Sequence, residues 1–191
     1  MYIILEGIDT AGKSTQLDIL KHNHPDALFT KEPGGTEIGI ELREMVLSAR
    51  AKSKIAEMFL FLADRAEHFE EIVKHNDFVI SDRGFISGIA YAKDFDMDMV
   101  IELNKIALEN TMPNCVVMLK LSEQELKYRL SQKEIDGIEA RGTDYLLEIQ
   151  SRMEQVINKL DINALIIDAS EDIEHIAQKI ENFINGVKKN G

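Results

Sequence analysis

The N-terminal fifteen residues hold the densest set of groups able to handle phosphate. Gly7-Ile8-Asp9-Thr10-Ala11-Gly12-Lys13-Ser14-Thr15 has the spacing G-x-x-x-x-G-K-[ST]. The glycines let the backbone curl so that successive N–H groups face inward on phosphate oxygens. Lys13 adds a point charge toward the β- and γ-phosphates, and the Ser14 hydroxyl is placed to ligate Mg²⁺. Further along, Asp82-Arg83 closes an apolar run. That pairing suits phosphoryl transfer, with Asp82 on the magnesium side and Arg83 in the same crevice. An anionic acceptor held against an anionic donor needs cations to offset their repulsion. Arginine does this best, because its planar fork meets phosphate in a bidentate way. The seven arginines are Arg43, Arg50, Arg65, Arg83, Arg129, Arg141 and Arg152.

These residues need elements to position them. Met1–Glu6 is a short apolar run without Gly or Pro and reads as a buried strand. Lys13 then opens a helix whose N-terminus also faces the phosphates. Ala27–Thr30, Phe78–Ser81, Cys115–Leu119 and Ala164–Ile167 read as four more strands. Helical patterns separate them: Ile38–Leu47, Ser53–His75, Phe85–Lys93, Met97–Asn110, a helix capped by Ser122 with Glu125 as capping-box partner, about 144–160, and Ile173–Ile184. Alternating strands and helices predict an α/β fold: a five-stranded parallel sheet with helices on both faces, in one domain. Ser131–Thr143 is polar, lacks periodicity and carries Gly137 and Gly142, which reads as a mobile lid. Ligands in such sheets bind at the carboxyl ends of the strands. Four motifs fall there: the first loop, Lys31–Thr36, Asp82-Arg83 and Ile167-Asp168-Ala169.

Composition narrows the function. A net charge of −12 argues against a nucleic-acid surface. No apolar run reaches the ~18 residues of a membrane span, and the N-terminus shows no signal-peptide pattern. The lone Cys115 excludes an internal disulfide and fits a reducing cytoplasm; at the head of an apolar strand it reads as a buried small hydrophobe. His22 and His24 lack acidic or thiol companions and read as an exposed helix end rather than a metal pair.

Taken singly, Arg43 among Glu37, Glu41 and Glu44 reads as a solvated face, and Phe61 as core. In sequence order, however, the chain resembles the bacterial type of the thymidylate kinase family over nearly its whole length. The resemblance rests on Gly7–Thr15, Lys31-Glu32-Pro33-Gly34-Gly35-Thr36, Phe61–His68 with its aromatic-x-x-x-Arg spacing, Ser81-Asp82-Arg83, Ala90-Tyr91 and Ile167-Asp168-Ala169. It implies ATP- and Mg²⁺-dependent phosphorylation of dTMP to dTDP, a step toward dTTP, by a cytoplasmic homodimer. It implies that Gly7, Asp9, Thr10, Ala11, Gly12, Lys13, Ser14, Thr15, Asp168 and Ala169 contact ATP, the last two flanking adenine. Phe61 would stack on thymine, Arg65 would meet its carbonyl edge, and Arg43 and Arg83 would grip the monophosphate. Asp9 would lie between sugar hydroxyl and phosphate, Tyr91 would crowd the sugar 2′ position, and Pro33 and Ser87 would line the acceptor pocket. Glu32 and Asp82 would lie near the metal and the acceptor, with Glu32 counted in the substrate site and Ser14 and Asp82 as the metal's ligands.

Several positions depart from that pattern. Lys31 stands where arginine is usual, Ala92 where glutamine is common and Gly88 where serine is frequent, so recognition of thymine leans on Arg65. Thr10 or its neighbour stands where one branch of the family has an arginine. The lid offers only Lys133, flanked by Arg129 and Arg141, so Lys133 or Arg129 is the expected closing charge. Other kinases of nucleosides or nucleotides are separated from this reading by Phe61, Arg65 and Tyr91. A GTP-binding switch is disfavoured because Asn104-Lys105-Ile106-Ala107 lacks the Asp of the guanine motif. A non-catalytic binding module would not need Lys13, Ser14 and Asp82 together.

Overall fold

The computed structural model describes residues 1–48, 50–132 and 142–190. Five strands form one parallel sheet: β1 (Tyr2–Glu6), β2 (Leu28–Lys31), β3 (Val79–Asp82), β4 (Cys115–Lys120) and β5 (Ala164–Asp168), in the order β2-β3-β1-β4-β5. The order follows from burial. β1 is buried throughout and β4 in all but its last residue, so they take central places, while the half-exposed β2 and β5 take the edges. Among the described residues the connecting helices are α1 (Lys13–Asn23), α2 (Glu37–Leu47), α3 (Lys54–His68), α4 (Phe85–Tyr91), α5 (Met97–Ala107), α6 (Glu123–Ser131), α7 (Thr143–Leu160) and α8 (Ile173–Asn190). α1 packs on α8 on one side of the sheet; α4 packs on α3, α5 and α7 on the other.

Several helices start at a side-chain cap. Thr36, Ser53, Asp96 and Ser122 each accept a hydrogen bond from the N–H three residues on. α1 differs: its N-cap is Gly12 at φ 93°, with no side-chain cap. Its first N–H groups are thus left to a ligand, as an anion site requires.

Three elements end earlier than the periodicity suggests. α3 stops at His68 and gives way to one π-helical turn, Phe69–Val73, closed by Lys74 N–H on the Phe69 carbonyl. α4 stops at Tyr91. α5 stops at Ala107, because Glu109 and Asn110 adopt positive φ and Asn110 N–H reaches back to the Lys105 carbonyl, a left-handed helix stop. One side chain is corrected: His24 is not exposed. It is buried edge-on against Phe78, with Nε2 3.0 Å from Glu181 of α8. No metal-binding cluster of His, Cys, Asp or Glu occurs among the described residues. Cys115 is fully buried, and burial pushes its thiol up to about 12. No described helix is long and apolar enough to cross a membrane.

The sheet register sets the site. Lys31, Asp82 and Leu5 lie side by side at the carboxyl ends of β2, β3 and β1, and Lys120 pairs with Asp168 on β4 and β5. The loops after β1, β2, β3 and β5 therefore open onto one edge.

Candidate active site

The loop after β1 can approach its neighbours only because of Gly7. Its φ is 145°, and a Cβ there would lie 2.7 Å from the Leu119 carbonyl. Ala11 is buried and donates to the Ile8 carbonyl. Thr10 has φ 68°, a left-handed conformation that costs about 1 kcal/mol in a residue with a Cβ. Lys13 lies almost fully buried inside the curl. Its Nζ donates to the Gly7 and Ile8 carbonyls at 3.0 and 3.3 Å. Burial and the nearby Arg83 push its ammonium down to about 8, against the pull of Asp82, Asp9 and Glu6. Ser14 and Thr15 are exposed on the first turn of α1.

Arg83 joins this loop to β3. Its Nη2 forms an ion pair with Asp9, while Nη1 donates to the Gly7 carbonyl at 2.9 Å and to Ser87 Oγ at 3.2 Å. Arg83 itself sits at φ 65°, so the site holds two left-handed residues, Thr10 and Arg83. Glu6 holds the arrangement from behind. This fully buried carboxylate accepts from the N–H groups of Gly84 and Ser87, both at 3.1 Å, and from the Ser87 hydroxyl. It thereby anchors the start of α4 to the end of β1, a favourable place for negative charge. Burial raises its carboxyl, and Ser87 and Arg83 oppose the rise. Motif reading missed Glu6. The signal was present: a carboxylate ending a wholly apolar strand must find buried partners.

Asp82 ends β3 with Oδ1 buried and without a hydrogen-bond partner. Ser14, Lys31, Gly34, Gly35 and Asp82 line one cavity of about 360 Å³. An orphaned carboxylate oxygen sharing a cavity with an exposed hydroxyl is a donor set that fits Mg²⁺. Tyr91 is half-buried, with a phenolic OH that is buried and unpartnered. Burial pushes it up to about 12, and its electrostatic neighbours include Arg83 and Asp9.

The loop after β2 is held by Asp64, a second residue the motifs passed over. Asp64 Oδ1 accepts from Gly34 N–H at 2.8 Å, and burial pushes its carboxyl up to about 6. Arg43, on α2, donates to the Pro33 carbonyl at 3.0 Å and lies against Gly34. The Glu32–Pro33 peptide bond is cis. Glu32 points inward: its carboxylate sits between Arg65 Nε at 2.9 Å and His68 Nδ1 at 2.8 Å, with its side chain 1% exposed. Burial would raise that carboxyl, but Arg65 and His68 hold it below the usual range. Thr30 completes the group, 2.9 Å from His68 Nε2. Phe61 is half-buried one turn before Arg65, on the same face of α3.

Arg129, from α6, clasps the other side. Its Nη1 donates to the Thr10 carbonyl at 3.0 Å, its Nη2 to the Ala169 carbonyl at 2.6 Å, and its Nε to Glu125. It thus couples the first loop to the loop after β5. Asp168 is exposed and bonds to the N–H and hydroxyl of Ser170. Lys133, Arg141 and the interior of the expected lid lie outside the described residues.

The geometry is a phosphate loop facing an arginine-bearing second strand end, with an aromatic and a buried arginine beyond. Residues 5–180 match the thymidylate kinase family. The thymidylate kinase of Aliarcobacter butzleri is 60% identical over 187 residues, covering 97% of this chain and 99% of that protein. That of Sulfurovum sp. is 50% identical over 189 residues, covering 96% and 99%. In fold, the chain is similar to the crystal structure of thymidylate kinase from Ehrlichia chaffeensis, with a TM-score of 0.75 and 24% identity over 97% of this chain and 98% of that one. Sequence relatives of this closeness, end to end, settle the family: the chain belongs to the thymidylate kinases.

Proposed function

We propose that this family member phosphorylates dTMP to dTDP at the expense of ATP by a single in-line transfer, with each role carried by the residues described above. The observation that carries the mechanism is the Arg83 bridge, which joins Asp9 and Gly7 of the phosphate loop to the β3 terminus. An acceptor phosphate lying beside Arg83 is already within the field that Lys13 and the loop amides provide for the donor. The dTMP phosphate oxygen forms a bond to the γ-phosphorus as the bond to the β–γ bridging oxygen breaks, and ADP leaves. No general base is required, because the second pKa of a phosphate monoester is about 6. Arg43 supplies the second cation to the acceptor. Arg129, already on the Thr10 and Ala169 carbonyls, is the cation placed to follow the charge of the donor and to line the adenine side. Ser14 and Asp82 would hold Mg²⁺, which would supply neutralisation of the phosphate charge. Phe61 offers a stacking face to the base and Tyr91 borders the sugar.

The enzyme works as a cytoplasmic homodimer in this reading. Ile38, Ile40 and Leu47 on α2, and Ile55 and Phe59 on α3, are all exposed on two helices that pack together. Sedimentation equilibrium should give twice the 21.7 kDa chain mass, and a monomer at micromolar concentration would remove the dimer. The substrate assignment is tested by ADP release with dTMP, dUMP, dCMP, UMP and AMP. dTMP should give the highest kcat/KM; a clear preference for another monophosphate would refute the assignment.

A further inference from the structure

The base-reading end of the acceptor site contains two residues that the phosphate chemistry does not use, Asn104 of α5 and Gly88 of α4. We infer that these two are positioning residues for the Arg65 guanidinium, and that through it they set the preference for a pyrimidine presenting a carbonyl at its 4-position. The inference rests on the dTMP reading above.

Arg65 is 3% exposed and its guanidinium is pinned on two edges. Nε donates to Glu32 at 2.9 Å, and Nη1 donates to Asn104 Oδ1. Asn104 is 2% exposed, and its amide orientation is fixed. Its Nδ2 donates to the Val100 carbonyl at 2.7 Å, one turn back on α5, so Oδ1 must face Arg65. Flipping the amide would set two donors against each other and two acceptors against each other. A planar fork held at Nε and Nη1 has little rotational freedom left. Nη2 is then the nitrogen without a partner among the described residues, and it is the donor available to a base.

Gly88 makes room for this placement. A Cβ at position 88 would lie 2.8 Å from Arg65 Nη1, 2.9 Å from Nη2 and 3.2 Å from Cζ. The end of a free arginine could swing away from such a contact. Here it cannot do so without breaking the bond to Glu32 or to Asn104. Glycine at 88 is therefore the counterpart of a guanidinium packed against the α4 backbone.

The chemistry of discrimination follows. A single fixed N–H donor pairs with a carbonyl oxygen and faces an amino group unfavourably, so it separates thymine and uracil from cytosine. If Asn104 is removed, Nη1 loses its acceptor and the fork can turn about the remaining bond to Glu32. Recognition should weaken while the phosphates stay in place.

Initial-rate kinetics with dTMP and dCMP on the full chain, for Asn104→Leu and Gly88→Ala, test this. Each variant should raise KM for dTMP by roughly tenfold and shrink the dTMP-over-dCMP preference by a similar factor. kcat and KM for ATP should stay within about twofold, a split that simple loss of folded protein would not produce. If Asn104→Leu fails to fold, Gly88→Ala decides alone. A folded variant that keeps the wild-type KM for dTMP and the wild-type preference overturns the inference and leaves the dTMP assignment standing. A wild type that prefers another monophosphate overturns both.

Discussion

Replacing Lys13 with alanine should lower kcat by about 10³-fold or more and leave the protein folded. Lys13 is the only cation inside the loop's curl among the described residues, and its ammonium already donates to two loop carbonyls. Those carbonyls are neutral partners that phosphate oxygens can replace at small cost. Charge developing on the β–γ bridge in the transition state has no comparable substitute inside the curl: Arg83 is committed to Asp9 and Gly7, and Arg129 bonds the Thr10 and Ala169 carbonyls. The structural cost is small by comparison. Water can enter the space and satisfy the carbonyls, and for a chain of this size each 1 kcal/mol moves Tm by roughly 2–4 °C. The same residue sets an alkaline limit. Its pKa is lowered to about 8, so the charged form is complete below that value and is lost as pH rises through it. kcat/KM for ATP, which reports the free enzyme, should therefore fall above about pH 8 in the wild type. Turnover by Lys13→Ala at the wild-type rate would contradict the role given to the loop.

Arg83→Ala should be nearly as damaging, with kcat/KM for dTMP down by about 10²–10³-fold. One guanidinium touches the phosphate loop, its Asp9 carboxylate and the Ser87 hydroxyl, and it stands where donor and acceptor phosphates meet. Its removal uncovers two anions to each other and frees Asp9 to repel both. Arg83→Lys should recover only part of the loss. A lysine restores the charge but has no planar fork to span Gly7, Asp9 and Ser87 at once. The backbone strain at φ 65° stays the same in either variant, so differences between them read the side chain. Steady-state kinetics with both substrates varied would separate the dTMP effect from ATP binding. An Arg83→Lys enzyme equal to wild type would show that only a point charge is needed.

Much of the fold was legible because buried parallel strands leave an unmistakable trace. β1 and β4 are apolar but for their last residues and β3 begins with the apolar Val79-Ile80; they are closed by the phosphate loop, a capping serine and Asp82-Arg83 respectively. Helix ends were harder to read, since Asn110 looks like a continuation of α5 until its left-handed backbone is seen. At the site, side chains defined by direct phosphate chemistry, such as Lys13 and Arg83, were legible from type and spacing. Those acting through a second residue were not. Glu6, Asp64 and Asn104 each lie far in sequence from the group they hold: Ser87 is 81 residues from Glu6, and Arg65 is 39 from Asn104. Only the sheet order and the packing of α3 against α5 bring them together. Glu32 shows the opposite case. The resemblance put it near the metal and the acceptor; its carboxylate lies between Arg65 and His68, where it holds the arginine read as facing the base.

The central claim is direct transfer between a donor held by the first loop and an acceptor held by Arg83. The most direct measurement is the stereochemical course at the γ-phosphorus, using chirally labelled ATPγS with dTMP as acceptor. A single in-line displacement predicts inversion of configuration in the product. Retention would require an intermediate phosphorylated enzyme, and would contradict the account at its core.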